Sequence, residues 1–205
     1  MKVVPRNRRL GILLSGRGSN FEAIASSIDT GRLDAEIAIV ISNVESAPGL
    51  ARARDRGLNA ICIPSQGKVR EQVDTELVEA LKGADVGLVV LAGFMRVLSG
   101  VFTSAFPNLI LNIHPALLPS FPGLHVQQQA LTYGVKFSGC TVHIVDGVLD
   151  GGPIVHQAVV PVLDNDAEET LSARILIEEH RIYTEAIDRI LSGTCEIHGR
   201  RVSFQ

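Results

Sequence analysis

The sequence predicts an α/β domain built on a mainly parallel sheet with helices on both faces, turning mixed in its second half and ending on one long helix. Three observations carry that expectation. Short apolar runs alternate with helically patterned segments up to residue 113, two strand candidates then follow almost directly on one another, and helical spacing fills residues 166–191.

The strand candidates in the first half are Leu10–Leu14, Ile37–Ile41, Ala60–Ile63, Val86–Leu91 and Leu109–Ile113. Their near-continuous apolar character is that of strands covered on both faces. Between them, Asn20–Ser27, Pro48–Gly57 and Val69–Leu81 place apolar residues at helical spacing, with Gly31, Pro48 and Gly57 as boundaries. Lys136–Val145 and Pro153–Val160 are separated only by the acidic, glycine-bearing stretch Asp146–Gly152, too short for a helical crossover, so this pair should be antiparallel. Asp166–Leu191 then reads as one helix opened by Asp166, with Glu168 and Glu169 in the first turn where acidic groups suit the dipole. In the tail, Glu196–His198 and Val202–Phe204 flank Gly199-Arg200 as a small hairpin.

At 205 residues with 46% apolar content, the chain has material for one sizeable core, and no repeat or linker divides it. A net charge of -3 with 20% charged residues lacks the basic footprint of a nucleic-acid binder, so any charged ligand must be held locally. Cys62, Cys140 and Cys195 are odd in number and lack CxxC spacing. Neither a disulfide framework nor a zinc site is expected, and a reducing compartment fits. Met1–Arg9 is a basic extension without the apolar stretch of a signal peptide, and no segment reaches the roughly 18 apolar residues of a membrane span. A cytoplasmic protein, bound to neither membrane nor nucleic acid, is the expectation.

Ligands of open α/β sheets sit beyond the carboxyl ends of the strands, so the turns there are the places to search. Ser15-Gly16-Arg17-Gly18-Ser19-Asn20 follows the first strand and leads into a helix. Its glycines admit close backbone approach, and free N–H groups with the helix dipole favour an anion such as phosphate. It is not a dinucleotide fingerprint, because Phe21 stands at the third glycine and the next strand runs into Ser42-Asn43 instead of an acidic ribose ligand. A tight turn needing small residues is the plainer alternative.

Asn112-Ile113-His114-Pro115 ends the fifth apolar run, and strand alternation points Asn112 and His114 to one face. An amide and an imidazole converging there suit acyl transfer, since both donate to a carbonyl oxygen that becomes an oxyanion. A carboxylate from Val145-Asp146-Gly147-Val148-Leu149-Asp150-Gly151-Gly152 would orient the imidazole and favour its protonated form. Sequence spacing leaves Asp146 and Asp150 equally eligible. His125, His156, His180 and His198 show no metal-ligand spacing, Cys140 reads as a buried inert thiol, and Gly93-Phe94-Met95-Arg96 suits either a pocket lining or the core.

Several of these segments, in this order, resemble the glycinamide ribonucleotide formyltransferases, a folate-dependent family of purine biosynthesis. They are Ser15–Asn20, Leu91–Arg96, Asn112–Pro119 continuing to Phe121–His125, Gly139–His143, Leu149–Pro153 and Glu178-Glu179-His180. The resemblance implies a Rossmann-like three-layer formyltransferase fold and matches Asn112, His114 and Asp150 to the family's catalytic triad. It matches Gly18, Ser19, Asn20 and Glu179 to the ribonucleotide site. Arg70, Met95, Arg96, Val97, Leu98 and Asn112, with Val145, Asp146, Gly147 and Asp150 of the loop over the pteridine, match the folate side. The implied small-molecule substrates are glycinamide ribonucleotide and 10-formyltetrahydrofolate, with no metal, in a monomer or homodimer. Arg17 departs from the motif's usual small or polar residue and adds charge beside the phosphate turn.

The alternatives within formyl-transfer chemistry are a formyltetrahydrofolate hydrolase, for whose preceding regulatory domain nine residues leave no room, and a methionyl-tRNA formyltransferase, which should be more basic with a further domain. A non-catalytic folate- or nucleotide-binding module is the alternative of another class.

Overall fold

The computed structural model describes residues 1–205. In chain order its elements are β1 (Lys2–Val3), β2 (Arg9–Leu14), α1 (Ser19–Asp29), β3 (Glu36–Ser42), α2 (Pro48–Asp55), β4 (Ala60–Cys62), α3 (Arg70–Gly83), β5 (Leu88–Leu91), α4 (Gly100–Ala105) and β6 (Ile110–His114). They continue with α5 (Val126–Tyr133), β7 (Phe137–Ile144), β8 (Ile154–Pro161), α6 (Glu168–Leu191), β9 (Cys195–His198) and β10 (Arg201–Phe204). One sheet holds all ten strands in the order β1-β9-β10-β8-β7-β6-β5-β2-β3-β4.

From β2 the chain winds outward through parallel β3 to β4, then α3 returns it to β5 on the other side of β2. That reversal opens a crevice between the carboxyl ends of β2 and β5, where two loops leave in opposite directions. Every residue of Leu10–Leu14 is buried because both faces are covered. Leu10, Ile12 and Leu14 pack in one core with Phe21 and Ile24 of α1, Leu50 of α2 and Ile187 of α6. Leu13, Val89 and Leu91 pack in the other with Leu77 and Leu81 of α3 and Phe102 of α4. Each such side chain contributes roughly 1.5–3 kcal/mol of burial, which explains the unbroken apolar runs.

Helix α6 is tied to the sheet beside the crevice. The buried Tyr183 hydroxyl approaches the Leu91 carbonyl at 2.9 Å and the Leu111 carbonyl at 3.0 Å, at the carboxyl end of β5 and near the start of β6. Burial first, with Glu179 adding, holds that phenol well above its usual pKa, so it stays a neutral donor.

β7 runs antiparallel to both β6 and β8, as the short 146–152 connection requires. The tail hairpin pairs Arg201 with His198, and it also joins the sheet through β10 beside β8. The basic extension has a structural place: Lys2 and Val3 pair with Glu196 and Cys195, and Val3 is buried. Arg6, Arg8 and Arg9 pair with Asp85, Asp34 and Glu36 at the surface, where solvent leaves such pairs little weight.

Two elements start two residues later than expected. β5 starts at Leu88, because Asp85 turns into the left-handed region (φ 55°) and the Val86 N–H still bonds back to the Leu81 carbonyl. α6 starts at Glu168, and Asp166 precedes it. Its carboxylate accepts from the Leu163 N–H at 2.8 Å and from the Arg174 guanidinium at 2.7 and 2.9 Å, bracing the loop against the helix. α4 and α5 were not anticipated; α5 buries only Val126 and Ala130, too little apolar period to mark a helix. No helix is long and apolar enough to cross a membrane.

One buried carboxylate fixes the loop after β5. Asp74 of α3 is fully buried, accepts the Ser99 N–H at 2.6 Å and lies 3.7 Å from the Arg96 guanidinium. Asp74→Ala should therefore cost about 3 kcal/mol, since Arg96 keeps its charge and loses its partner. Urea unfolding checks this, and a loss below about 1 kcal/mol would show that the pair holds nothing.

Candidate active site

Asn112 and His114 alternate with buried Leu111 and Ile113 on β6, and the antiparallel register sets His143 opposite Asn112 and Thr141 opposite His114. All four side chains therefore share one face of the sheet. The loop after β7 returns to this face with Asp150 in a left-handed conformation (φ 49°). The Asp150 carboxylate lies 3.5 Å from His114 Nδ1 and 3.7 Å from His143 Nε2, and it accepts the Gly123 N–H at 2.9 Å. Burial alone would raise its pKa, but the His143 ring, the Gly123 N–H and the His114 imidazole outweigh that and hold the carboxyl below its usual range.

His114 is buried, and its Nε2 lies 2.8 Å from the Phe121 carbonyl, which only accepts, so Nε2 carries a hydrogen. Both ring nitrogens thus face acceptors. Asp146 is exposed, and its carboxylate accepts only the Val148 N–H of its own turn at 3.0 Å. Between the two loop carboxylates, geometry brings Asp150 and not Asp146 to the histidine.

The glycine turn lies at the crevice between β2 and β5. Ser15–Asn20 together with Ala92, Gly93 and Met95 line a cavity of about 210 Å³. Gly18 takes φ 74°, and a Cβ there would lie 2.8 Å from the Gly49 backbone of α2, so this position admits no side chain. Ser19 and Asn20 begin α1, whose first N–H groups have no intrahelical partner and are free for an anion. Arg17 is exposed, and its carbonyl accepts from Arg52 at 2.8 Å.

Asn20 Nδ2 donates to Glu179 Oε2 at 2.8 Å, which brings the turn and α6 together. Burial pushes the Glu179 carboxyl up, and the Asn20 bond only partly opposes it. A raised carboxyl pKa means that folding is favoured below the unfolded value and weakened as pH rises through the folded one. Glu179→Gln should therefore raise the melting temperature at about pH 7 while leaving it unchanged near pH 3. Calorimetry across pH checks this; equal melting temperatures at neutral pH would refute it.

The residues matched to folate divide by position. Met95 and Val97 are exposed, Leu98 is buried in the core of α3 and α4, and the mostly buried Arg96 side chain points inward to Asp74. Any ligand contact by Arg96 is therefore left to its main chain. Arg70 is exposed at the start of α3. The half-buried Val145 continues β7 by donating to the Ile110 carbonyl at 2.9 Å, while Asp146 and Gly147 are exposed beyond it.

The formyl transferase family model matches residues 8–187. The chain belongs to the formyl transferase family. It is similar to glycinamide ribonucleotide transformylase 1 from Symbiobacterium toebii, with 49% identity and a TM-score of 0.94 over 97% of this chain and 94% of that one. It is 42% identical to the phosphoribosylglycinamide formyltransferase of Escherichia coli (strain K12), covering 91% of this chain and 89% of that protein. It is also 44% identical to the trifunctional purine biosynthetic protein adenosine-3 of Drosophila melanogaster, covering 94% of this chain but spanning only 14% of that protein.

Three side chains of this formyl transferase complete the constellation without having been marked as site residues. His143 Nε2 lies 3.1 Å from Asn112 Nδ2 and 3.7 Å from the Asp150 carboxylate, so this ring joins the amide to the carboxylate, and its Nδ1 faces the Ile144 carbonyl at 3.3 Å. The Thr141 hydroxyl donates to the Ala116 carbonyl at 2.7 Å and accepts from the Leu118 N–H at 3.0 Å. Gln157 of β8 donates to both Thr141 Oγ1 and the Leu118 carbonyl at 2.9 Å, clamping the strap that follows His114. Strand alternation, already used for Asn112 and His114, would have set Thr141 and His143 on one face. Cys140 points the other way into the core, and its thiol is pushed up to about 12 by burial, with Glu179 and Glu178 adding.

Proposed function

We propose that this chain transfers the formyl group of 10-formyltetrahydrofolate to the primary amine of glycinamide ribonucleotide, giving formylglycinamide ribonucleotide and tetrahydrofolate in de novo purine biosynthesis. The observation that carries this reading is the meeting of Asp150 and His114 at 3.5 Å with Asn112 on the same face. The names of its full-length relatives agree with it.

In this reading Gly18, Ser19 and Asn20 hold the ribonucleotide phosphate and Glu179 accepts from its polar groups. Exposed Met95, Val97, Val148 and Leu149 offer the apolar rim that a flat heteroaromatic ring needs, and the main chains of 95–98 and 145–150 supply polar contacts. The neutral amine attacks the formyl carbon directly, without a covalent enzyme adduct. Asn112 donates its free amide N–H to the forming oxyanion. His114 exchanges the Phe121 carbonyl for the same oxygen. Asp150 stabilises the imidazolium and, through a water, helps carry the amine proton toward the departing folate nitrogen. Holding amine and donor together contributes roughly 7 to 11 kcal/mol, so the two half-sites matter as much as the triad. The three unpaired cysteines agree with a reducing, cytoplasmic setting.

The test is formyl release from 10-formyltetrahydrofolate by the purified chain, with and without glycinamide ribonucleotide. Release only with the ribonucleotide is expected. Release without it would indicate a hydrolase, and binding without release a passive module.

A further inference from the structure

The parallel ladder between β2 and β5 ends where the crevice opens, with the Ala92 N–H on the Leu13 carbonyl at 2.8 Å and the Ser15 N–H on the Gly93 carbonyl at 3.0 Å. Beyond that point a row of side chains continues across the strand ends. The Met95 N–H donates to Ser15 Oγ at 2.8 Å, the Ser15 hydroxyl donates to Asn43 Oδ1 at 2.5 Å, and Asn43 Nδ2 donates to Ser65 Oγ at 3.1 Å. The direction of the row is fixed, because an amide N–H only donates and an amide oxygen only accepts. Asn43 stands at the end of β3, where dinucleotide-binding sheets carry an acidic ribose ligand, and here it is committed to Ser15.

We propose that Ser15, backed by Asn43, is a positioning residue that sets the separation between the phosphate turn and the 95–98 segment. This rests on the reading above, in which those two segments hold the two substrates. Ser15 lines the cavity, yet its one hydroxyl proton goes to Asn43, so it has none to donate to a phosphate oxygen. Its effect is therefore indirect. One hydroxyl joins the first residue of the turn to the first residue of the folate-side segment, and transfer chemistry is sensitive to displacements of about 1 Å. Ser15→Ala orphans both the Met95 N–H and Asn43 Oδ1.

The experiment measures steady-state kinetics with both substrates varied, and thermal unfolding, for the wild type, Ser15→Ala, Ser15→Thr, Asn43→Ala and the double variant Ser15→Ala/Asn43→Ala. Ser15→Ala should lower kcat/KM for each substrate about tenfold, with Ser15→Thr recovering most of it. Asn43→Ala should fall in the same direction by less, and the double variant should be no worse than Ser15→Ala alone, because the two act as one unit. A Ser15→Ala enzyme within about twofold of wild type, or one changed only in melting temperature, would overturn the proposal. Should Ser15→Ala fail to fold, Asn43→Ala is held to the same criteria. A wild type that moves no formyl group would instead refute the functional reading, so the two failures are distinct.

Discussion

His114→Ala is expected to lower kcat about a thousandfold while leaving both KM values within about threefold. The buried imidazole is the one side chain whose two nitrogens reach both the Asp150 carboxylate and the Phe121 carbonyl, and it shares a strand face with Asn112. In the proposed reading its contribution to transfer is confined to the moment when the carbonyl oxygen gains charge, so ground-state binding has little to lose. Asn112→Ala should cost about a hundredfold by the same logic. The double variant should lose less than the product, because both donors serve one oxygen. Losing the buried hydrogen bond should lower the melting temperature by a few degrees only, which circular dichroism can follow. Near wild-type turnover in a folded His114→Ala enzyme would remove the imidazole from the chemistry.

How much of this could be read from the chain follows from how local each signal is. Leu10–Leu14 and Leu109–Ile113 declare themselves because strands covered on both faces need apolar residues at every position. Asn112 and His114 were legible as a pair because two residues on one strand share a face by covalent geometry alone. His143 was not joined to Asn112 because their pairing depends on the register of β7 against β6, a property of the sheet. The Phe121 carbonyl and the Gly123 N–H, which hold His114 and Asp150, are main-chain groups and leave no mark in a sequence. Neither does β1, whose two residues acquire meaning only beside β9. Arg96 is matched to the folate side through the resemblance alone; its side chain turns inward to Asp74 at 3.7 Å, a pairing that no local pattern announces.

The loop after β7 offers the sharpest comparison, because its two carboxylates differ in place and not in kind. Asp150→Asn preserves shape and an oxygen for the Gly123 N–H, so the fold should hold. What it removes is the charge facing His114 Nδ1. A carboxylate-to-amide change behind a catalytic imidazole lowers kcat by about a hundredfold to ten-thousandfold, and a loss in that range is expected here. Asp146→Asn removes charge from an exposed residue that only accepts the Val148 N–H, and its kcat should stay within about threefold. The pH dependence follows from the sign of the shift. The folded Asp150 pKa is depressed, so the charge and its stabilising contribution are fully present above the usual carboxylate range and are lost only as pH falls through the depressed value. From about pH 5 to 8 the wild type always carries this charge and Asp150→Asn never does, so the rate gap should persist across that whole window. If the gap closed at any neutral pH, or if Asp146→Asn were the slower enzyme, the contact at 3.5 Å would not be the one that supports the reaction.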